Sequence, residues 1–181
     1  MRKIILDLAT TLDGFIEGPN GEVDWCILDD DMDFQGFLEG IDTILYGRVS
    51  YDMWGNYHPD TNASESEKEI WAAVHAKQKI VFSSQERPNT DVTFIASSIP
   101  DAIAELKQQQ GKDIWLYGGA KLITAFIQHG LIDVYRISVH PTVLGAGKPL
   151  FQDLEDRINL DLIAVNRFRA GVVQLVYKPK G

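Results

Sequence analysis

The sequence predicts an α/β fold: a mostly parallel central sheet, helices on both faces, and antiparallel strands at a C-terminal edge. Three observations lead there. Short apolar, β-branched runs alternate with helix-like segments over the first two thirds of the chain, the pattern of a parallel sheet wrapped by helices. Three of these runs end in small or polar residues. They are Thr43-Ile44-Leu45-Tyr46 before Gly47-Arg48-Val49-Ser50, Ile80-Val81-Phe82 before Ser83-Ser84-Gln85, and Ile114-Trp115-Leu116-Tyr117 before Gly118-Gly119-Ala120-Lys121. The last third then carries strand patterns and a Gly/Pro loop but no long helical pattern.

Taken in order, residues 2–9 read as a buried strand. Residues 10–28 read as a long loop, with turn signals at Asp13-Gly14 and Gly18-Pro19-Asn20-Gly21. A helix is expected over 31–39, with an acidic first turn that suits the helix dipole. A strand follows at 41–46, then a short helix from about Val49 and a polar loop at 56–64. Ser64 and Glu67 have capping-box spacing for a helix at 65–76. Strands at 79–83 and 92–96 flank a turn at Arg87-Pro88-Asn89. A helix opening at Ser98 or Pro100-Asp101 runs to about residue 110, where Gly111 stops it. A strand at 113–117 passes through the glycine pair into a helix that stops at Gly130. Strands at 132–139, 159–168 and 171–178 complete the chain, with the Gly/Pro loop at 141–149 between the first two.

The length of 181 residues suits one domain spanning 1–181, since domains run to about 100–200 residues. A net charge of −9 argues against a nucleic-acid partner, which needs a basic footprint. It leaves a phosphorylated small molecule possible, because local cations and helix N-termini decide that. The single cysteine, Cys26, excludes an internal disulfide framework and a Cys-x-x-Cys zinc site. The apolar run Ile4-Ile5-Leu6 is too short for a signal sequence or a membrane span. A cytoplasmic protein with no membrane partner and no metal is the expectation.

In an α/β sheet, ligands bind beyond the carboxyl ends of the parallel strands. Gly118-Gly119 would let backbone approach a pyrophosphate, and the helix after it would supply N–H donors. Arg48 could hold a phosphate in a bidentate fork, and Ser83-Ser84-Gln85 offers hydroxyls and an amide. Each segment alone also reads as an ordinary turn. The acidic run Asp29, Asp30, Asp31 and Asp33 reads either as a solvated helix start or as the source of one buried proton donor. His140-Pro141 falls at a strand end near the crevice, where it either touches substrate or serves structure.

Together and in order, these segments resemble the dihydrofolate reductase superfamily over nearly the whole chain. Asp7-Leu8-Ala9-x-x-Leu12-Asp13-Gly14-Phe15-Ile16 is similar to that family's first strand and mobile loop. Trp25 falls where the family has a tryptophan near its substrate pocket. Tyr46-Gly47-Arg48-x-Ser50-Tyr51, Val81-Phe82-Ser83-Ser84-Gln85 and Tyr117-Gly118-Gly119-Ala120-Lys121-Leu122 resemble its cofactor segments. Leu12-Asp13-Gly14-Phe15-Ile16 and Pro141-Thr142-Val143-Leu144-Gly145-Ala146-Gly147-Lys148-Pro149-Leu150-Phe151 are similar to one branch, the reductase domain of the riboflavin-biosynthesis deaminase–reductase and its stand-alone relatives. The zinc motifs of a deaminase are absent from this sequence.

The resemblance implies hydride transfer from NADPH to a heterocyclic substrate such as a ribosylamino-pyrimidine. It implies that Ala9 and Ile16 hold the nicotinamide. Gly47, Arg48, Val49, Ser50, Ser83, Ser84, Gln85, Gly118, Gly119, Ala120, Lys121 and Leu122 would hold the phosphates and adenosine. Trp25 would touch substrate, and Asp30 would be the catalytic acid. Related reductases imply a homodimer, expected here through residues 131–150. Two other readings are dihydrofolate reductase proper, which needs a buried Asp30 in an apolar pocket, and a nucleotide-binding protein without turnover. The latter would bind NADPH and oxidise none.

Overall fold

The computed structural model describes residues 1–85 and 92–181, and of Asp30 the backbone alone. The turn expected at Arg87-Pro88-Asn89 lies outside the described residues. Among those described, the main sheet has eight strands in the order β5-β4-β3-β6-β1-β7-β10-β9. They are β1 (Ile4–Thr11), β3 (Ile41–Gly47), β4 (Gln78–Phe82), β5 (Thr93–Ile95), β6 (Asp113–Gly118), β7 (Val134–His140), β9 (Leu160–Arg167) and β10 (Val173–Pro179). From β5 through β7 every pairing is parallel, whereas β10 runs antiparallel to both β7 and β9.

Two elements appear where the sequence reads as loop. β2 (Phe15–Glu17) pairs antiparallel with β8 (Lys148–Pro149). The reason is local chemistry. The Asp13 carboxylate accepts the backbone N–H groups of Leu144 at 3.2 Å and Gly145 at 2.7 Å, and the Thr11 hydroxyl at 2.6 Å. The Thr11 hydroxyl, then these backbone donors, hold Asp13 below the usual carboxylate range. Gly147 has φ +155°, and a Cβ there would sit 2.3 Å from the Glu17 carbonyl, so only glycine lets the two strands approach. The Leu-Asp-Gly-Phe and Gly-Ala-Gly-Lys segments are thus two sides of one clasp.

The helices sort onto the two faces by apolar spacing. On one face, α4 (Ile99–Gln108) and α5 (Ala120–Gln128) bury Ile103, Leu106, Ile123, Phe126 and Ile127 against Ile4, Leu6, Ile114, Leu116 and Ile137. Phe126 is fully buried at the centre of that layer. Phe126→Ala would cost ~3–5 kcal/mol by the usual transfer and cavity terms. On the other face, α1 (Phe34–Glu39) and α3 (Glu65–His75) cover Ile44, Tyr46 and Trp115 with Phe37, Leu38 and Val74. The Ser64 hydroxyl accepts the Glu67 N–H at 3.1 Å and caps α3, as the capping-box spacing predicts. The short helix near Val49 is α2 (Arg48–Ser50), which continues as a wider π-type turn over Tyr51–Gly55.

One expectation is corrected. The helix expected over 31–39 is broken: a 3-10 turn at Asp30–Met32 is separated from α1 by Asp33, whose φ of 47° is left-handed. Asp33 instead turns its carboxylate to cap α1 through the Gly36 N–H, 3.2 Å away. The antiparallel C-terminal edge is as expected, but the residues expected to carry a homodimer, 131–150, include no outer strand of the main sheet. β7 is flanked by β1 and β10, and the outermost strand at that end is β9.

Candidate functional site

A cavity of about 860 Å³ opens at the carboxyl ends of β1, β3, β6 and β7 and runs down over the α1/α3 face of the sheet. Its upper wall is made of turns. Gly47 closes β3, and Gly119 sits between β6 and α5. A Cβ on Gly47 would stand 3.4 Å from the Gly119 nitrogen, and a Cβ on Gly119 would stand 2.8 Å from the Ser50 hydroxyl. Two bare backbones therefore face each other, and any side chain would fill the gap. No side chain caps α5; the Leu122 and Ile123 N–H groups bond back to the Gly119 carbonyl at 2.9 and 3.0 Å, and the N–H groups of Ala120 and Lys121 precede the first intrahelical bond. The peptide between Gly118 and Gly119 is cis.

Of the residues expected to hold cofactor, Ala9, Ile16, Gly47, Arg48, Val49, Ser50, Gly119, Ala120, Lys121 and Leu122 border this cavity. Ser83, Ser84, Gln85 and Gly118 lie outside its lining. The Ser83 hydroxyl accepts the Gln85 N–H at 3.0 Å, which orders that turn locally. Arg48 borders the cavity with a half-exposed side chain, its Nη1 3.1 Å from Asp52 Oδ2 one helical turn on. Trp25 lies on the lining, buried, its ring edge-on to His140 at 5.4 Å. The side chain of Asp30 lies outside the described residues. Its neighbour Asp31 accepts from the Arg169 backbone at 3.0 Å, away from the role of a free acid.

The floor is a row of side chains that alternate toward one sheet face. Register puts Asp7 beside Arg136, Ala9 beside Ser138, and Ser138 beside Gln174. Along this row Asp7, Ala9, Ser138, His140 and Gln174 all border the cavity. Gln174 donates to the Ser138 hydroxyl at 3.2 Å, and Asn166 donates to Gln174 at 3.1 Å. Ala9 is the small step in the middle, where a flat ring can lie against the strand.

Asp7 is the charged group on this floor. It is 6% exposed. Arg136 Nε stands 3.0 Å from its Oδ2, yet the N–H is not aligned to donate, and that oxygen has no hydrogen bond among the described residues. The guanidinium is held instead over the Phe37 ring, 4.7 Å from its centre. Burial raises the Asp7 carboxyl from its ordinary 3.8 to about 6, and the Arg136 charge pulls the other way.

His140 is 1% exposed, and burial lowers its pKa. Its Nδ1 lies 3.2 Å from the Ile27 N–H, so Nδ1 accepts. The neutral ring then carries its proton on Nε2, and that N–H has no partner among the described residues. Sequence reasoning assigns no site role to Asp7, which it places only in the first strand, or to Gln174. The signal for Asp7 was available: a lone carboxylate between Ile5 and Ala9, on the same face of a strand otherwise made for burial. Gln174 gave none.

Among the described residues, no group of three or more His, Cys, Asp or Glu is placed to hold a metal, and no helix is long and apolar enough to cross a membrane.

The family model for the RibD C-terminal domain matches residues 2–174. This chain belongs to that family. It is 57% identical to the uncharacterized protein YyaP of Bacillus subtilis (strain 168) over 181 residues, covering 99% of this chain and 96% of that one. A putative riboflavin biosynthesis protein from Shewanella sp. PV-4 superposes with a TM-score of 0.80 at 27% identity, both chains covered in full. Dihydrofolate reductase from Enterococcus faecalis, solved with NADP(H), superposes with a TM-score of 0.67 at 16% identity over 99% of this chain and 97% of that one. That last likeness places the family member in the dihydrofolate-reductase-like fold. The family and these structural neighbours point to reductase-type proteins.

Proposed function

We propose that this chain is an NADPH-dependent reductase acting on a heterocyclic substrate. The observation that carries the reading is the pairing of two unlike walls on one cavity. The glycine gap between Gly47 and Gly119, with the open N-terminus of α5, fits a dinucleotide pyrophosphate. A side chain on either glycine would fill that gap, so the residues present suit the group.

When bound, NADPH would supply a hydride to an electrophilic ring or imine carbon. The chain's own residues do the rest. Ala9 and Ile16 leave a slot against β1 for a flat ring. Ala120 and Lys121 present the first backbone N–H groups of α5 to phosphate. Trp25, Met32 and Phe34 line the same cavity and give it apolar wall. Hydride addition to a C=N bond leaves its nitrogen needing a proton, and the Asp7 carboxyl, with its pKa near 6, is the group on this floor able to hold one close to neutral pH.

Titration of the protein with NADPH, followed by its oxidation in the presence of 5-amino-6-(5-phosphoribosylamino)uracil and of dihydrofolate, tests the reading. Saturable NADPH binding and oxidation with a heterocycle are expected. Failure to bind NADPH would end it. Binding without turnover of any heterocycle would favour a non-catalytic nucleotide-binding protein.

The reading includes a homodimer. Its natural seat is the outer strand β9, where Leu162, Ile163 and Val165 are each about half exposed on an edge that a second copy could extend. Light scattering at micromolar concentration should return twice the chain mass, and a monomer mass would remove the dimer.

A further inference from the structure

One face of β7 carries a row of hydrogen-bond donors. Residues two apart on a strand share a face, so Arg136, Ser138 and His140 lie on the same side of the sheet. Arg136 lies outside the cavity lining. Its Nε stands 3.0 Å from Asp7 Oδ2 and its guanidinium 4.7 Å from the centre of the Phe37 ring, so the one cation of the row is held by its neighbours. Ser138 and His140 border the cavity, and both are more than nine-tenths buried. From Asp7 and Arg136 toward the strand end, the row is therefore uncharged.

The His140 ring is fixed from two sides. Nδ1 accepts the Ile27 N–H at 3.2 Å, and the Trp25 indole stands edge-on at 5.4 Å. With Nδ1 accepting, the neutral ring carries its proton on Nε2. That N–H is buried and has no acceptor among the described residues. A buried donor left unmade is costly, so the site is poised for an acceptor from outside the chain. Ser138 stands two residues back, roughly 7 Å away at strand rise. Its hydroxyl ends a relay that begins at the surface. Asn166 donates to Gln174 at 3.1 Å, and Gln174 donates to Ser138 at 3.2 Å. The Ser138 oxygen accepts in that relay, and its own proton goes to no acceptor among the described residues.

Resting on the reductase reading above, we propose that Ser138 and His140 form a two-donor site for an uncharged carbonyl oxygen of the bound ligand, with His140 the residue that determines specificity. A carbonyl oxygen has two lone pairs and can take both donors. A carboxylate suits the site less. Arg136 is held by Asp7, Lys148 is paired with Glu17, and Arg48 and Lys121 stand beside the glycine gap, so a buried anion here would meet neutral donors only. An amino group would set N–H against N–H and is rejected. The carbonyl has two sources. Ala9, where a nicotinamide would lie, is beside Ser138 in register, so the oxygen belongs either to the cofactor's carboxamide or to the substrate.

Proton–nitrogen NMR of the His140 ring reads this site without turnover. The ligand-free protein should show the Nε2–H tautomer. NADP+ carries the carboxamide and delivers no hydride. If the cofactor is the source, NADP+ moves the Nε2–H proton downfield, and its thionicotinamide analogue, a weaker acceptor, moves it less. If the substrate is the source, NADP+ leaves the signal in place and acetophenone added to the loaded protein moves it downfield. The isostere without oxygen, α-methylstyrene, then does not. An Nδ1–H tautomer, a signal that no carbonyl probe moves, or equal movement by both members of each pair would overturn the proposal. His140→Phe keeps a ring against Trp25 and removes the donor. It should weaken the carbonyl probe that moved the signal by about tenfold and leave its partner within about twofold. Should that variant not fold, because the Ile27 N–H loses its acceptor, the wild-type spectra decide alone. If neither NADP+ nor NADPH binds, the reductase reading fails by itself, and acetophenone against α-methylstyrene on the cofactor-free protein still decides the donor site.

Discussion

The two halves of the cavity are built from different parts of the chain's chemistry. The upper half uses backbone: Gly47, Gly119 and the open end of α5 make a gap because side chains are missing there. The lower half uses side chains: Asp7, Ser138, His140 and Gln174 reach one sheet face from three strands. Backbone recognition suits a ligand part that is constant, such as a pyrophosphate. Side-chain recognition can be changed one residue at a time without disturbing the sheet. The cofactor half is thus a property of the scaffold, and the floor is where members of one family can part in substrate.

The largest expected effect lies on the floor and is electrostatic. Burial lifts the Asp7 carboxyl from 3.8 to about 6. Folded protein therefore binds that proton more tightly than unfolded protein does. The stability from this proton is complete below about pH 3.8, declines as pH rises, and is gone once pH passes about 6. The shift corresponds to roughly 3 kcal/mol. Arg136 is the charged group facing Asp7 and moderates the shift. Urea unfolding of wild type and Asp7→Asn across this range should show their difference moving by up to about 3 kcal/mol in favour of the asparagine. A difference that stays constant with pH would mean that Asp7 is ionised or solvated throughout, and that the floor is wetter than its burial implies.

The upper half should break differently, losing ligand and keeping fold. Gly119 has φ −86°, which any residue can adopt, so a side chain there brings no strain from this dihedral. Its Cβ would meet only the Ser50 hydroxyl, a group that can rotate away. Gly119→Val should therefore unfold within a few degrees of wild type. Its branched side chain fills the gap, and NADPH affinity should fall about a hundredfold or more, roughly 2.7 kcal/mol. A folded variant that binds NADPH normally would make the glycine pair a turn and no more.

The same contrast explains what the sequence reveals. Strand ends are legible because strand, glycine turn and helix start are contiguous, so Gly47 to Ser50 and Gly119 to Leu122 can be read as units. The alternation of elements likewise yields the sheet and its antiparallel edge. The floor is not legible in that way. Asp7, Ser138 and Gln174 become neighbours only through register across β1, β7 and β10, which no local pattern encodes. Attention goes instead to the acidic run at 29–33, the conspicuous source of a carboxylate. There Asp33 leaves the helix to cap α1, and Asp31 is taken by Arg169. The clasp of β2 with β8 is hidden for a similar reason: Asp13 finds its partners at Leu144 and Gly145, far along the chain.

The smallest expected effect lies at the rim of the upper half. Arg48 borders the cavity, but its Nη1 already sits 3.1 Å from Asp52 Oδ2, and its side chain is 45% exposed. A surface pair of this kind contributes well under 1 kcal/mol, so a ligand phosphate can displace it cheaply. The 2′-phosphate of NADPH offers the guanidinium a charge-assisted fork that NADH lacks. Solvent screening at this exposure limits the gain to about tenfold in affinity, roughly 1.4 kcal/mol. Wild type should therefore prefer NADPH over NADH by about that factor, and Arg48→Ala should lose most of the preference while leaving NADH affinity nearly unchanged. The double difference matters more than either affinity. If Arg48→Ala weakens both cofactors equally, Arg48 serves the shared pyrophosphate and belongs with the glycine gap. If neither affinity moves, Asp52 keeps the guanidinium, and the upper half recognises its ligand through backbone alone.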